Sequence, residues 1–193
     1  MQADFSVECG AGDECLEMPW VSEDGALRYV DLKQDLTRLA DLEEAQRFPE
    51  LADFLRAINS PRSGFQSAKC DAGFTREMTV EDEVFGTNGK FGSYVDVLFT
   101  SSVLQSSFEQ HEATARKLVE LLQRLPETPA AMELLVRRCY SSTENAPPEG
   151  FYFTCYVFGY SDSEVEARQY WRIALHLVAK ALAQVSEVIE KNT

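Results

Sequence analysis

A chain of 193 residues, 45% hydrophobic and 26% charged, has the length and composition of a domain that buries its own core without disulfides or a structural metal. Its 32 acidic and 18 basic residues leave a net charge of −14, and thirteen acidic against four basic residues fall in the first fifty positions. Phosphate backbones and anionic lipid surfaces repel such a chain, so neither nucleic acid nor a membrane is an expected partner.

Residues 1–63 read as an N-terminal extension of irregular and helical character. Asp24-Gly25 marks a turn between MPWV and ALRYVDL, a small hairpin or added edge strand that Pro19 keeps at a sheet edge. Helices are predicted over 35–46 and 49–59. In the second, Pro49 suits the first turn, and Leu51, Phe54, Leu55 and Ile58 share one face. The run 59–64 (NSPRSG) then breaks the chain.

Two units of like order follow. The first, 64–126, has strands predicted over 65–78 and 93–101, joined by a loop over 80–92. Ser106 and Glu109 then match a capping box, opening a helix striped by Phe108, His111, Ala115, Leu118, Leu122 and Leu125. The second, 131–193, has strands over 132–143 and 151–160 around a turn-rich link at 144–150. Ser161 and Glu164 form its capping box, and the helix stripe runs Trp171, Leu175, Val178, Leu182, Val185 and Ile189. The expected fold is one α+β domain: an antiparallel sheet of at least four strands from two ββα units, with the helices packed on one face.

Strand alternation assigns the faces. One is apolar, with Val95, Val97 and Phe99 beside Phe153, Cys155 and Val157, and seats the helices. The other carries Tyr94, Asp96, Leu98 and Thr100 beside Tyr152, Thr154, Tyr156 and Phe158. Aligning the two cysteine strands (AKCDA and RRCYS) adds Lys69, Asp71, Arg138 and Tyr140 to this second face and turns Arg137 toward the helices. So many aromatics require cover, from the N-terminal part, a twin subunit or a ligand. The candidate ligand or interaction face is therefore Lys69, Asp71, Tyr94, Asp96, Arg138, Tyr140, Tyr152, Thr154 and Tyr156.

Specific chemistry is scarce. None of the five cysteines lies in a CxxC pair, and Cys9 and Cys15 are too sparse for zinc; His111 and His176 fall inside helical patterns. No metal or cofactor is expected. Cys70 and Cys139 read as structural thiols beside Lys69 and Arg138, reduced as suits a cytoplasmic protein. Gly86, Gly89, Gly92 and Lys90 do not make a phosphate loop, because no helix follows them. Glu8, Asp13, Glu14 and Glu17 lack calcium-loop spacing. The opening residues lack a basic-then-apolar leader, and the best apolar run, 173–185, is broken by His176 and Lys180, so no signal peptide or membrane span is expected.

The functional expectation is a non-catalytic binding or interaction protein that works through the second sheet face on a small molecule or a protein. The competing reading is a small-molecule enzyme using Asp71, Asp96 and the tyrosines in a cleft there. The final stripe outruns the sheet it packs on, so Leu182, Val185 and Ile189 are expected to meet a two-fold partner, making a homodimer.

Overall fold

The computed structural model describes residues 1–142 and 149–192, with side chains through residue 188 of the last helix. It is an α+β arrangement around a six-stranded sheet formed by β1 (Gln2–Glu8), β2 (Cys15–Met18), β3 (Phe65–Thr75), β4 (Lys90–Phe99), β5 (Ala130–Ser141) and β6 (Glu149–Tyr160). The order is β1-β5-β6-β4-β3, and β2 takes over from β1 further along the same edge of β5. Valine, phenylalanine and tyrosine dominate β4 and β6, the residue types that fit a pleated surface buried on at least one side.

The sheet is mixed, not wholly antiparallel as expected. Strands β3, β4, β6 and β5 pair antiparallel, but β1 and β2 run parallel to β5. The physical reason lies in the connection. A tight hairpin imposes antiparallel pairing, whereas a parallel neighbour needs a long excursion, and the chain from β2 travels to the opposite edge of the sheet before β3 begins.

Helices α1 (Glu43–Arg47), α2 (Pro49–Ile58), α3 (Ser102–Gln105), α4 (Phe108–Gln123) and α5 (Glu164–Asn192) complete the fold. The single helix expected over 35–46 divides into a 3-10 turn at Leu36–Asp41, capped by Asp35, and α1. Ser107, one residue beyond the expected Ser106, caps α4 by accepting from Gln110 N, while Ser106 closes the short α3. Ser161 stays outside α5, where its hydroxyl accepts from Ser163 N and donates to Glu166.

One apolar layer unites the helices with the sheet. Val95, Val97, Phe99, Phe153, Cys155 and Val157 are all buried there as alternation predicts, with Leu118, Leu122, Trp171, Leu175 and Val178 above them. The helix α5 comes so close to β6 that a Cβ on Gly159 would lie 2.2 Å from Trp171 N and 2.3 Å from Ala167 O. Only glycine allows that approach. Phe48, at the start of α2, packs edge-on against Phe91 and Trp171, and Arg168 of α5 donates twice to Glu50.

The far half of α5 therefore does not overhang. Leu182 and Val185 are each 4% exposed within the single chain, in the same core as Leu51, Phe54, Leu55 and Ile58 of α2. Gly64 N also donates to Ser186 Oγ at 2.7 Å. The expected overhang is therefore absent at Leu182 and Val185, which are buried within the single chain in the core that α5 shares with α2. The side chain of Ile189, the third residue of that expectation, and the link at 143–148 lie outside the described residues.

The remaining N-terminal segment acts as a strap across the other side of the sheet. After β2 the chain turns at the cis peptide before Pro19, and Trp20 Nε1 donates to Ala68 O of β3 at 2.9 Å. Leu16, Met18 and Trp20 thereby cover Cys139 of β5, Tyr152 of β6, Leu98 of β4 and Ala68 of β3. A small hairpin follows, closed by the Val21–Arg28 bridge around Gly25, whose φ of 71° favours glycine. Lys33 then donates to the carbonyls of Ser60, Ser63 and Phe65 as the chain rounds β3 toward the helix layer.

Candidate binding surface on the second sheet face

Backbone register sorts the second face into rows that run across the strands. Towards the strapped end, Glu8, Arg137 and Tyr152 align, and next to them Ser6, Leu135, Thr154 and Asp96. The third row is Asp4, Glu133, Tyr156, Tyr94 and Asp71, and the fourth is Gln2, Ala131, Phe158, Gly92 and Gly73.

Of the nine residues proposed for this face, Lys69, Asp71, Tyr94, Asp96, Tyr152, Thr154 and Tyr156 lie on it. Arg138 and Tyr140 do not. Arg138 aligns with Phe151, and Tyr140 shares its side of the strand, whereas Arg137 and Cys139 face the strap. The error came from matching the two cysteines. Cys70 lies on the helix side, opposite Val95, after an irregularity in β3 between Ser67 and Cys70, while β5 has no such shift. Met132, Leu134 and Val136 alternate toward the core, and that apolar period alone signals the correct side for Arg137.

The strapped half is filled by a buried polar chain. Arg137 donates to Glu8 at 2.7 and 2.8 Å, to Glu14 at 2.9 Å and to Thr154 Oγ1 at 3.2 Å. The Thr154 hydroxyl in turn donates to Asp96 Oδ1 at 2.7 Å. Burial pushes the Asp96 carboxyl up to about 6, against the Thr154 hydrogen bond and the Lys69 charge, which pull it down. Burial disfavours the Arg137 charge, yet the Glu8 carboxylate holds its pKa above the ordinary value. Asp96, Arg137 and Thr154 are 3%, 8% and 1% exposed, so this network is closed to a ligand. It supports the strap: without it, Asp96 and Arg137 would be buried charges lacking partners.

The other half is open. Tyr94 and Tyr156 are half-buried with rings 6.1 Å apart, and Phe158 continues the line, stacked 6.2 Å from Tyr156. Phe158 lies across Gly92, where a Cβ would meet its ring at 2.6 Å; beside it Gly73 faces open space. A cleft of about 1310 Å³ rises from Tyr156 and Phe158, between the start of β1 and the 3-10 turn Glu81–Phe85, with Tyr94 on the open sheet beside it. That turn is locked by Asp82, which accepts from Lys90, from the Tyr160 hydroxyl at 2.8 Å and from Thr79 N at 2.8 Å. Phe85 stacks on Tyr160 at 3.8 Å.

Charge in the open half is one-sided. Lys90 is consumed by Asp82, and Arg137 by Glu8 and Glu14. Among the described residues, Asp4, Asp71, Glu81 and Glu133 enter no ion pair. The Glu133 carboxyl is raised above its ordinary value by burial and by the like charges of Glu8, Asp4 and Glu81. Burial, then the Asp96 and Asp71 charges, likewise holds the Tyr94 hydroxyl well above the usual phenol range. Asp4, Glu81, Glu133 and the Arg137 clamp are absent from the sequence-based face for three reasons: β1 brings Asp4 and Glu8, the parity of β5 turns Glu133 and Arg137 to this side, and the turn Glu81–Phe85 folds Glu81 over it. The alternation of Ala3, Phe5 and Val7 was the available signal for β1.

Other candidates resolve as structural. His111 is fully buried among Phe99, Phe151 and Phe153, its Nδ1 at 2.8 Å from Ser107 O, and burial lowers its pKa to about 4. All five cysteines are free thiols. No helix is long and apolar enough to cross a membrane, and no cluster of potential metal ligands occurs among the described residues. Compared with protein-family models, with curated proteins and with solved structures, the chain matches none.

Proposed function

We propose that the chain is a binding protein whose recognition surface is the open half of the second sheet face, centred on Tyr94, Tyr156 and Phe158. One observation carries this reading. The chain uses its own strap to bury the aromatic and polar residues of one half and leaves the adjoining half uncovered, with Tyr156 and Phe158 as the floor of a cleft and Tyr94 beside it. Amphipathic rings of this kind supply contact area at low entropic cost. The enzyme reading has less support: Asp96, its one carboxylate with a strongly raised pKa, is out of a substrate's reach.

Further parts of the reading rest on the sequence. The strand-strand-helix order of β3-β4-α4 and β5-β6-α5 is read as a duplicated ββα unit within one domain, and the free thiols suit a reducing cytoplasm. Self-association through α5 is not part of the proposal.

Native mass spectrometry of the purified protein tests the proposal. A bound species is expected on the wild type and lost from Tyr94→Ala/Tyr156→Ala, whose fold is checked by circular dichroism. A bare wild type, or a bound species retained by the variant, overturns it.

A further inference from the structure

Resting on that reading, we infer that the open surface takes a basic segment of a protein partner, an extended stretch with Lys or Arg side chains at both ends of a short run. The row that crosses the floor has carboxylates at its two ends, Asp4 and Glu133 on one side and Asp71 on the other, with Tyr156 and Tyr94 between. Glu81 adds a further carboxylate from the turn that walls the cleft. None of these four acids forms an ion pair with a cation among the described residues: Lys90 and Arg137 are already committed to Asp82 and to Glu8 and Glu14, and Lys69 sits over the Trp20 ring. A surface that keeps such charges unpaired is complementary to positive charge.

The aromatic floor favours the same ligand. An aromatic ring face attracts a cation, and Lys90 Nζ already sits 4.8 Å from the centre of the Phe158 ring. The dimensions favour a segment over a small amine. Asp4 and Asp71 are separated by four strand spacings, ~19 Å at ~4.8 Å each, which an extended peptide covers in about six residues at ~3.3 Å per residue. The cleft at the Asp4 and Glu133 end of this row, about 1310 Å³, by itself exceeds the roughly 300–1000 Å³ typical of small-molecule sites. Gly73 and Gly92 leave no side chains standing beside Phe158, so a peptide backbone can lie flat toward the β3 edge.

The probe is a fluorescein-labelled peptide, Arg-Arg-Gly-Ser-Gly-Ser-Arg-Arg, titrated with the full chain at about 150 mM salt to suppress diffuse attraction. Saturable binding is expected, with at least a tenfold loss in Asp4→Asn/Asp71→Asn/Glu133→Gln. Less than a twofold change is expected in Glu43→Gln/Glu164→Gln/Glu187→Gln, which removes equal charge elsewhere. No binding, or an equal loss in both triples, overturns the inference. Displacement of the peptide by spermine at matching affinity also overturns it, in favour of a small polyamine. If the peptide fails while a bound species sensitive to Tyr94 and Tyr156 persists, only the basic-segment inference falls and the binding reading stands.

Discussion

His111 and Asp96 lie on opposite sides of the sheet and pull stability in opposite directions with pH. The folded chain protonates His111 only near pH 4, against an ordinary value of 6.5. The unfolded chain therefore holds the extra proton between those values, and stability falls as pH drops through that window. Asp96 keeps its proton up to about pH 6, against an ordinary 3.8, so here the folded chain holds the extra proton and stability falls as pH rises from about 4 to 6. Each effect is on the order of 2–3 kcal/mol at full extent, and in the wild type the two largely cancel. Relative to wild type, His111→Phe is expected to gain that amount between pH 7 and pH 4. Asp96→Asn, which can still accept from Thr154, is expected to gain it between pH 4 and pH 7. Urea unfolding across this range checks both; curves that run parallel to wild type would place these groups in water.

The long helix α5 shows how an apolar stripe is read correctly and assigned the wrong neighbour. Its stripe is as predicted through Val185, but α2 and the start of β3 close over its far half. With Val185 buried inside the single chain, Val185→Glu acts on stability. It places a carboxylate in a position that is 4% exposed, within the apolar core that α5 shares with α2. A loss of about 3 kcal/mol or more is expected, with light scattering giving the same mass as wild type. A stable variant that passes from dimer to monomer would restore the subunit-interface reading.

Taken as a whole, the molecule wraps its N-terminal third around the sheet: β1 and β2 on one edge, the strap beneath, α1 and α2 above. Trp20 holds the middle of that wrap, through its hydrogen bond to Ala68 O and the Lys69 ammonium 5.4 Å from its ring centre. Trp20→Ala should cost ~3 kcal/mol and loosen the strap before the helix layer. Hydrogen exchange is the measurement, with faster exchange expected in 15–30 and at Leu98 and Tyr152, and α5 nearly unchanged. Uniform loosening of sheet and helices would mean that the strap and the core unfold together.

Periodicity made much of this protein legible. The helical stripes of α2, α4 and α5, and the alternation that sends Val97 and Phe153 inward and Tyr94 and Tyr156 outward, follow from local geometry, because a side chain's face is set by its own few neighbours. Three things are not local. The parity of β5 was lost when a cysteine match replaced the apolar period Met132, Leu134, Val136. The parallel pairing of β1 depends on partners 129 residues away in sequence, and the meeting of Glu8 and Glu14 on Arg137 is equally remote. What covers each apolar surface depends on where a connecting segment travels, and a run such as 19–35 carries no period that records its path. Thus the sequence by itself determined which surfaces need cover, and only the tertiary structure decided that α2 covers one, the strap covers half of another, and the half around Tyr94, Tyr156 and Phe158 stays open.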